Sequence, residues 1–377
     1  MNLRELETPC LVLDLAKVKK NIEHFHQHIR SLAVDFRPHV KTVKNIELTT
    51  MALMREGSGI MVSTMKEAEY FFNHGIRDIV YGVGIAPVKL RRVADLINRG
   101  AGLTLILDSI EQVEFVAAAA QQFSITIPVL IEIDCDGHRS GISSNDPLLI
   151  DIANLISRKK GVELRGIVTH AGESYNCRSI GCIKRLAGVE RDTAVRCAES
   201  LRREGFACPV VSVGSTPTAK FVDDLEGVTE VRAGVFVFYD LFMAGLGVCR
   251  IEDIAISVLV SVIGHQKVRG WIITDGGWMS LSRDRGTSSQ RVDRGYGLVC
   301  SIEGKPLDDM IVYSANQEHG IIGSSSSDKS ILEMFPVGTM LRILPNHACA
   351  TSAMHDRYYV VDGSTEVVCV WHRMNGW

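Results

Sequence analysis

The chain has 377 residues, 46% hydrophobic and 23% charged, which is enough apolar material for a sizeable core and excludes a small scaffold held by staples. Lys and Arg number 41 against 44 Asp and Glu, a formal net charge of -3. A nucleic-acid-binding domain would be basic, so nucleic acid is not an expected partner. Residues 1–7 are charged and lack the apolar stretch of a secretory signal. The longest apolar windows, such as 254–263, fall well short of the roughly 20 residues that cross a bilayer. The expectation is a cytoplasmic protein with no membrane partner. Its ten cysteines have no paired spacing and read as reduced, mostly buried thiols.

A short apolar run at 10–13 comes first. From residue 34 onward, Val- and Ile-rich runs alternate with segments of helical periodicity. Strands are predicted at 34–41, 59–63, 78–84, 103–109, 127–135, 162–172, 209–216 and 228–240, each but the last followed by a helix. Eight βα units over about 200 residues predict a (β/α)8 TIM-type barrel, class α/β, across residues 16–250. Chemistry is then expected at the carboxyl ends of the strands. Beyond residue 250 the pattern changes to runs at 254–263, 271–275, 310–315, 339–344, 357–361 and 366–371 between Gly- and Ser-rich turns. These predict a second, all-β domain over 251–377, joined by the N-terminal strand within residues 1–15. The serine run 324–327 reads as a flexible loop.

Arg37, His39 and Lys41 alternate along one predicted strand and therefore share a face, in the barrel interior or at its mouth. Desolvation of a lysine there lowers its pKa and frees an amine that can form a Schiff base. For a lone lysine, snorkelling from the rim is the commoner fate. Gly214, Ser215 and Thr216, followed by Pro217, supply close backbone approach, an N-cap and a proline suited to a first helical turn. Free N–H groups there would cradle a phosphate, although a plain N-cap explains the same residues. Paired with Lys41, the cradle favours a phosphorylated aldehyde cofactor. His347 and Cys349 lie two apart, so in an extended segment they can grip one metal ion and leave coordination sites open. Imidazole with thiolate ranks Zn2+ ahead of Mn2+ and Mg2+. A buried thiol beside an unrelated histidine is the alternative.

Thr8-Pro9, Arg37-Pro38-His39-Val40-Lys41-Thr42, His170-Ala171-Gly172, Gly214-Ser215-Thr216-Pro217, Asp275-Gly276-Gly277, Glu318-His319-Gly320 and Pro345-Asn346-His347-Ala348-Cys349 together carry a family likeness. The sequence resembles the fold-type III pyridoxal-phosphate enzymes, whose barrel is like the alanine racemase N-terminal domain, and specifically the D-serine dehydratase and D-threonine aldolase branch. The resemblance implies that Lys41 carries pyridoxal 5'-phosphate, that Arg139 lies near its phenolic oxygen and that His170 packs on its ring. It also implies that Tyr175, Arg232 and Tyr239 reach the ring nitrogen or phosphate, with Gly214, Ser215 and Thr216 at the phosphate. His347 and Cys349 stand where the family's metal ligands belong, and the cysteine resembles the dehydratase branch.

The activity so implied is zinc-dependent dehydration of D-serine or a related β-hydroxy D-amino acid to a 2-keto acid and ammonia, with Lys41 as base. A metal-dependent D-threonine aldolase, with His319 or His347 as base, uses the same parts. A non-catalytic pyridoxal-phosphate-binding protein would need the barrel alone. A homodimer is implied by the resemblance. D-threo-3-hydroxyaspartate as substrate would need a cation for its second carboxylate, for which Arg283, Arg285 and Arg357 are candidates.

Overall fold

The first strand, β1 (Cys10–Asp14), is buried along its whole length and runs straight into the helix Leu15–Ser31. Eight parallel strands then form one sheet: β2 (Asp35–Pro38), β3 (Ile60–Val62), β4 (Asp78–Gly84), β5 (Gly102–Leu107), β6 (Ile127–Asp134), β8 (Val162–Thr169), β9 (Val210–Val213) and β10 (Glu230–Ala233). The two-residue β7 (Ile142–Ser143) adds to β6. Strand order is β2-β10-β9-β8-β6-β5-β4-β3, and a parallel bridge between His39 and Met61 joins the two ends. The expected (β/α)8 barrel is therefore the fold, and each of its strands overlaps its predicted run. The computed structural model describes residues 1–324 and 331–377, so serines 325–327 of the expected loop lie outside the described residues.

Local chemistry sets the strand-to-helix turns. Asn45, Thr64, Ser109, Ser179 and Ser215 each sit in extended backbone and accept a hydrogen bond from the first helical turn that follows. Between strands and helices lies a continuous apolar layer. Within the barrel, Met61, Val80, Ile106, Leu130 and Val168 cluster, with Val210 packed against them. Such a girdle makes the barrel a filled core rather than a pore.

Two details of the expected first strand are corrected. The strand ends at Pro38, and Lys41 lies beyond it in a turn. Arg37 is not at the carboxyl mouth. Its Nε donates to Glu230 at 2.6 Å and its two Nη groups donate to Asp78 at 3.0 Å each. This cluster lines a cavity of about 380 Å3 with Arg77 and Arg165, at the amino ends of the strands. Charges there belong to the end of a barrel that carries stability rather than chemistry.

By contacts the chain divides into two compact units, Met1–His24 with Val235–Asn375 and Phe25–Gly234 with Gly376–Trp377. The first is all-β apart from short helices and the start of Leu15–Ser31. Its strands β11 (Ile256–Gln266), β12 (Trp271–Thr274), β13 (Leu298–Cys300), β14 (Pro306–Ala315), β15 (Gly320–Ser324), β16 (Met340–Leu344), β17 (Arg357–Val361) and β18 (Val367–His372) join β1 in the order β12-β15-β14-β13-β16-β11-β1-β17-β18. A bulge between Val262 and Gly264 lets the first half of β11 pair with β1 and its second half with β12. Pairing of β11 with both β12 and β16 closes an antiparallel barrel.

One cysteine expectation fails. Cys177 and Cys182 form a disulfide across the start of the helix Ile180–Arg203, while the other eight are free thiols. Five-residue spacing across a turn and a helix start gave no sign of pairing in the sequence. Among the described residues, no helix is long and apolar enough to cross a membrane.

Candidate active site

At the carboxyl ends of the barrel strands, side chains converge from several elements. His39 follows β2, and its Nδ1 accepts from the Lys41 backbone N–H at 3.4 Å while Nε2 faces Ser63 Oγ at 3.4 Å. Lys41 is exposed in its turn and has no ion-pair partner among the described residues. His170, just past β8, donates from Nδ1 to the carbonyl of Gly214 at 3.1 Å, which leaves Nε2 unprotonated. Tyr175 lies beside it, ring centroids 6.1 Å apart. Arg139 is half exposed and reaches Glu132 on β6 at 3.5 Å.

Arg232 on β10 is buried. Its Nε donates to Ser212 Oγ at 2.9 Å, one Nη to Met61 Sδ and the other to the carbonyl of Thr169. Ser212 in turn donates to Glu230 at 2.7 Å, so a polar column links Arg232 to the Arg37 cluster through the barrel. Burial lowers the pKa of Arg232, and Glu190, Glu230 and Glu132 oppose that shift.

These cations act on the histidines. His39 is held well below the usual imidazole range, first by burial and then by Lys41, Arg232, His170 and Arg139. His170 falls to about 3, chiefly by burial, with Arg232, Arg139 and Lys41 adding to it against the opposing Gly214 hydrogen bond. Both rings are neutral at ordinary pH. An amine, two guanidiniums and two neutral imidazoles thus share one electropositive mouth, which fits a dianionic phosphorylated aldehyde.

The Gly214–Thr216 turn differs from the expected row of free N–H donors. Gly214 N donates to Glu190, Ser215 N to Thr218 Oγ1 at 3.0 Å and Thr218 N to Ser215 Oγ at 3.3 Å. Gly214 is nonetheless obligatory: its φ is +125°, and a Cβ there would stand 2.3 Å from the carbonyl oxygen of Arg232. Tyr239 falls in the other unit, buried, with Cys249 and Asp253 near it.

Glu190 is a residue the sequence reading missed. It is fully buried in the helix Ile180–Arg203, and its Oε1 accepts from Ala171 N at 2.9 Å and Gly214 N at 3.0 Å. It therefore ties the turn bearing His170 to the turn bearing Ser215. Burial raises its pKa, against those hydrogen bonds and one from Thr218. The signal was available, because Ile183, Ala187, Glu190, Ala194 and Cys197 form one buried helical stripe with a single acid in it.

In the β unit, His347 is the N-cap of the helix Ala348–Ala353, so Cys349 lies in the first helical turn and not in an extended segment. The two side chains are still close enough that Cys349 raises the His347 pKa. His347 Nδ1 donates to Asp284 Oδ2 at 2.6 Å. Ala348 N donates to the buried Asp240, which also caps the helix Leu241–Gly245. Asn346 is locked by Thr287 Oγ1 and by the carbonyls of Asp284 and Gly295. Burial disfavours the His347 imidazolium, but Asp284 and Cys349 outweigh it and raise the pKa to about 11.

Among the described residues, no set of three or more His, Cys, Asp or Glu is arranged to hold a metal ion. Imidazole plus thiol is a fitting donor pair for a soft divalent ion whose shell is completed by water or substrate. His319, the other candidate base, is exposed. Of the three candidate arginines, Arg285 pairs with Asp293 and Arg357 with Asp356. Arg283 has no carboxylate partner among the described residues and lies over the Trp278 ring at 5.2 Å.

Comparison with known proteins agrees with this layout. Residues 13–241 match the family model "Alanine racemase, N-terminal domain", and residues 255–361 match "Putative serine dehydratase domain". The chain belongs to the fold-type III pyridoxal-phosphate family, with the alanine-racemase-like barrel and the added β domain. It is 47% identical to D-threo-3-hydroxyaspartate dehydratase of Delftia sp. (strain HT23), over 100% of this chain and 99% of that protein. It is 29% identical to D-serine dehydratase of Dictyostelium discoideum, over 97% and 96%. Among solved structures, a cysteine-to-alanine mutant of D-threo-3-hydroxyaspartate dehydratase in the metal-free form superposes with a TM-score of 0.95 at 46% identity, covering 100% of both chains. Within its family the chain is an enzyme of the lyase class, similar to the D-serine dehydratases.

Proposed function

We propose that the protein dehydrates a β-hydroxy D-amino acid, D-serine or D-threo-3-hydroxyaspartate, to a 2-keto acid and ammonia, using pyridoxal 5'-phosphate and Zn2+. The observation that carries this reading is His347 held by Asp284 at 2.6 Å with Cys349 beside it, in a chain whose barrel gathers Lys41, Arg139, His170 and Arg232. In this reading residues 16–250 form the cofactor domain. Residues 251–377, with the strand in 1–15, form the domain that carries the metal.

Pyridoxal 5'-phosphate supplies an electron sink for the carbanion left when the Cα–H bond breaks. Lys41 would hold the cofactor through its amine, and the same amine is the proposed base for the Cα proton. Arg139 would offer its guanidinium to the phenolic oxygen, and Arg232 and Tyr175 are the candidates for the ring nitrogen or phosphate. Ser215 and Thr216 would hold the phosphate beside the Gly214 backbone, and Tyr239 is kept as a further candidate contact on the family likeness. His170, neutral and fixed by the Gly214 carbonyl, offers a flat face and no competing acid. A metal held by His347 and Cys349 supplies Lewis acidity for departure of the β-hydroxyl. Thiolate and imidazole favour Zn2+ over Mn2+ or Mg2+. A homodimer is proposed on the family likeness.

Product analysis tests the proposal. The purified protein is given D-serine, D-threo-3-hydroxyaspartate and D-threonine, with and without chelator. Keto acid with equimolar ammonia, lost on chelation, supports it. Glycine with an aldehyde and no keto acid makes the protein an aldolase instead.

A further inference from the structure

The ring of His347 is held on one edge by a carboxylate that is itself immobilised. Asp284 Oδ2 accepts from His347 Nδ1 at 2.6 Å, and Oδ1 accepts from Gly286 N at 2.8 Å. The backbone N–H of Asp284 donates to Ser282 Oγ at 3.1 Å, and its carbonyl accepts from Asn346 Nδ2, the residue just before His347. Ser282 itself is buried at φ +75° and ψ 161°, a region that side-chain-bearing residues rarely occupy. Such strain persists only where the surroundings over-determine the conformation, and it recurs at functional sites. Every atom of the Asp284 carboxylate and peptide thus has a fixed partner, and one of those partners is the imidazole.

We propose that Asp284 is a positioning residue that fixes the tautomer of His347. A carboxylate can only accept, so Nδ1 must keep its proton, and the proton given up to an incoming metal ion is the one on Nε2, which leaves the lone pair there. Asp284 also holds the ring by its Nδ1 edge, which leaves the Nε2 edge for the ion. The inference rests on the proposal that His347 and Cys349 bind the metal, and it adds the group that makes the imidazole competent to do so.

Two substitutions separate tautomer control from simple support. In Asp284→Asn the amide oxygen can keep the Gly286 hydrogen bond, which turns the amide N–H2 towards His347 Nδ1. That nitrogen must then accept, so the proton moves to Nε2 and blocks it. In Asp284→Ala nothing dictates the tautomer, and the correct one remains accessible. Affinity of the pyridoxal-phosphate-loaded protein for Zn2+ is measured by competition with a chromophoric chelator, and Co2+ is used for the thiolate-to-metal absorption band. Loss of a carboxylate behind a metal-bound histidine costs roughly 10–100-fold in metal affinity.

The expected order is wild type tightest, Asp284→Ala weaker, and Asp284→Asn weakest despite being the closer match in shape. Cofactor absorption should be unchanged in both variants. Wild-type affinity in Asp284→Asn, or a smaller loss in Asn than in Ala, overturns tautomer control. Failure of the unsubstituted protein to bind Zn2+ or Co2+, or binding that survives in His347→Ala and Cys349→Ala, overturns the metal site itself and the inference with it.

Discussion

Removing the Glu190 carboxylate should uncouple the turn that bears His170 from the turn that bears Ser215. Its Oε1 accepts from Ala171 N at 2.9 Å and from Gly214 N at 3.0 Å, and the residue is fully buried. In Glu190→Ala both N–H groups lose their acceptor in a place that water does not reach. An unsatisfied buried donor costs roughly 1–3 kcal/mol, so the pair amounts to about 2–6 kcal/mol. In Glu190→Gln a carbonyl oxygen can occupy the Oε1 position and serve both donors, while the desolvated charge that burial disfavours is gone. The expected cost is about 1 kcal/mol or less. Urea unfolding of the cofactor-free protein reads the stability, and titration with pyridoxal 5'-phosphate followed by absorbance reads the binding. Ala should lose at least about tenfold in cofactor affinity, equivalent to about 1.4 kcal/mol, and Gln should stay near wild type. Equal damage from Gln and Ala would mean that negative charge, not the accepting oxygen, is what matters there, and the bridging account would be wrong.

His347→Ala and Cys349→Ala should each abolish tight Zn2+ binding and keto-acid formation while leaving the cofactor's absorption unchanged; loss of folding would mark the pair as structural. Arg283→Ala should lower kcat/KM for D-threo-3-hydroxyaspartate by about tenfold or more while changing that for D-serine little, since only the former brings a second carboxylate for the unpaired guanidinium; equal effects on both substrates would remove Arg283 from recognition. Acid should destabilise the cofactor-free protein through His170, whose pKa drops from 6.5 to about 3 on folding. The unfolded chain then binds more protons between those values. Stability is complete above pH 6.5 and is lost as pH falls towards 3, by roughly 1 to 1.5 kcal/mol at the first pH unit below 6.5. His170→Asn should flatten that limb of the urea midpoint against pH; an unchanged slope would contradict the assignment.

The barrel was legible because its strands are buried Val/Ile runs set off by helical periodicity, and several strand-to-helix turns announce themselves with a capping side chain such as Ser109 or Ser215. The β domain was less so. β13 has only three residues, and β15 carries Gly320 and Gly323, so neither shows the alternation that marks a half-buried strand. At the site, Lys41, His170 and the Gly214 turn stand at strand ends, where topology alone makes them neighbours. Asp284 and Asp240 reach the His347 segment from 63 and 108 residues away, and no local pattern encodes those contacts. Arg37 misled because period-two spacing fixes which way a side chain faces but not how far along the barrel axis its long arm travels, and here Asp78 and Glu230 draw it to the opposite end.

The central claim is that the Lys41 amine at the barrel mouth carries the cofactor. Borohydride reduction of the pyridoxal-phosphate-loaded protein, followed by peptide mass spectrometry, tests it directly. A single phosphopyridoxyl adduct on the peptide containing Lys41, absent from Lys41→Ala, is the expected result. An adduct on another lysine, or retained label in Lys41→Ala, would contradict it.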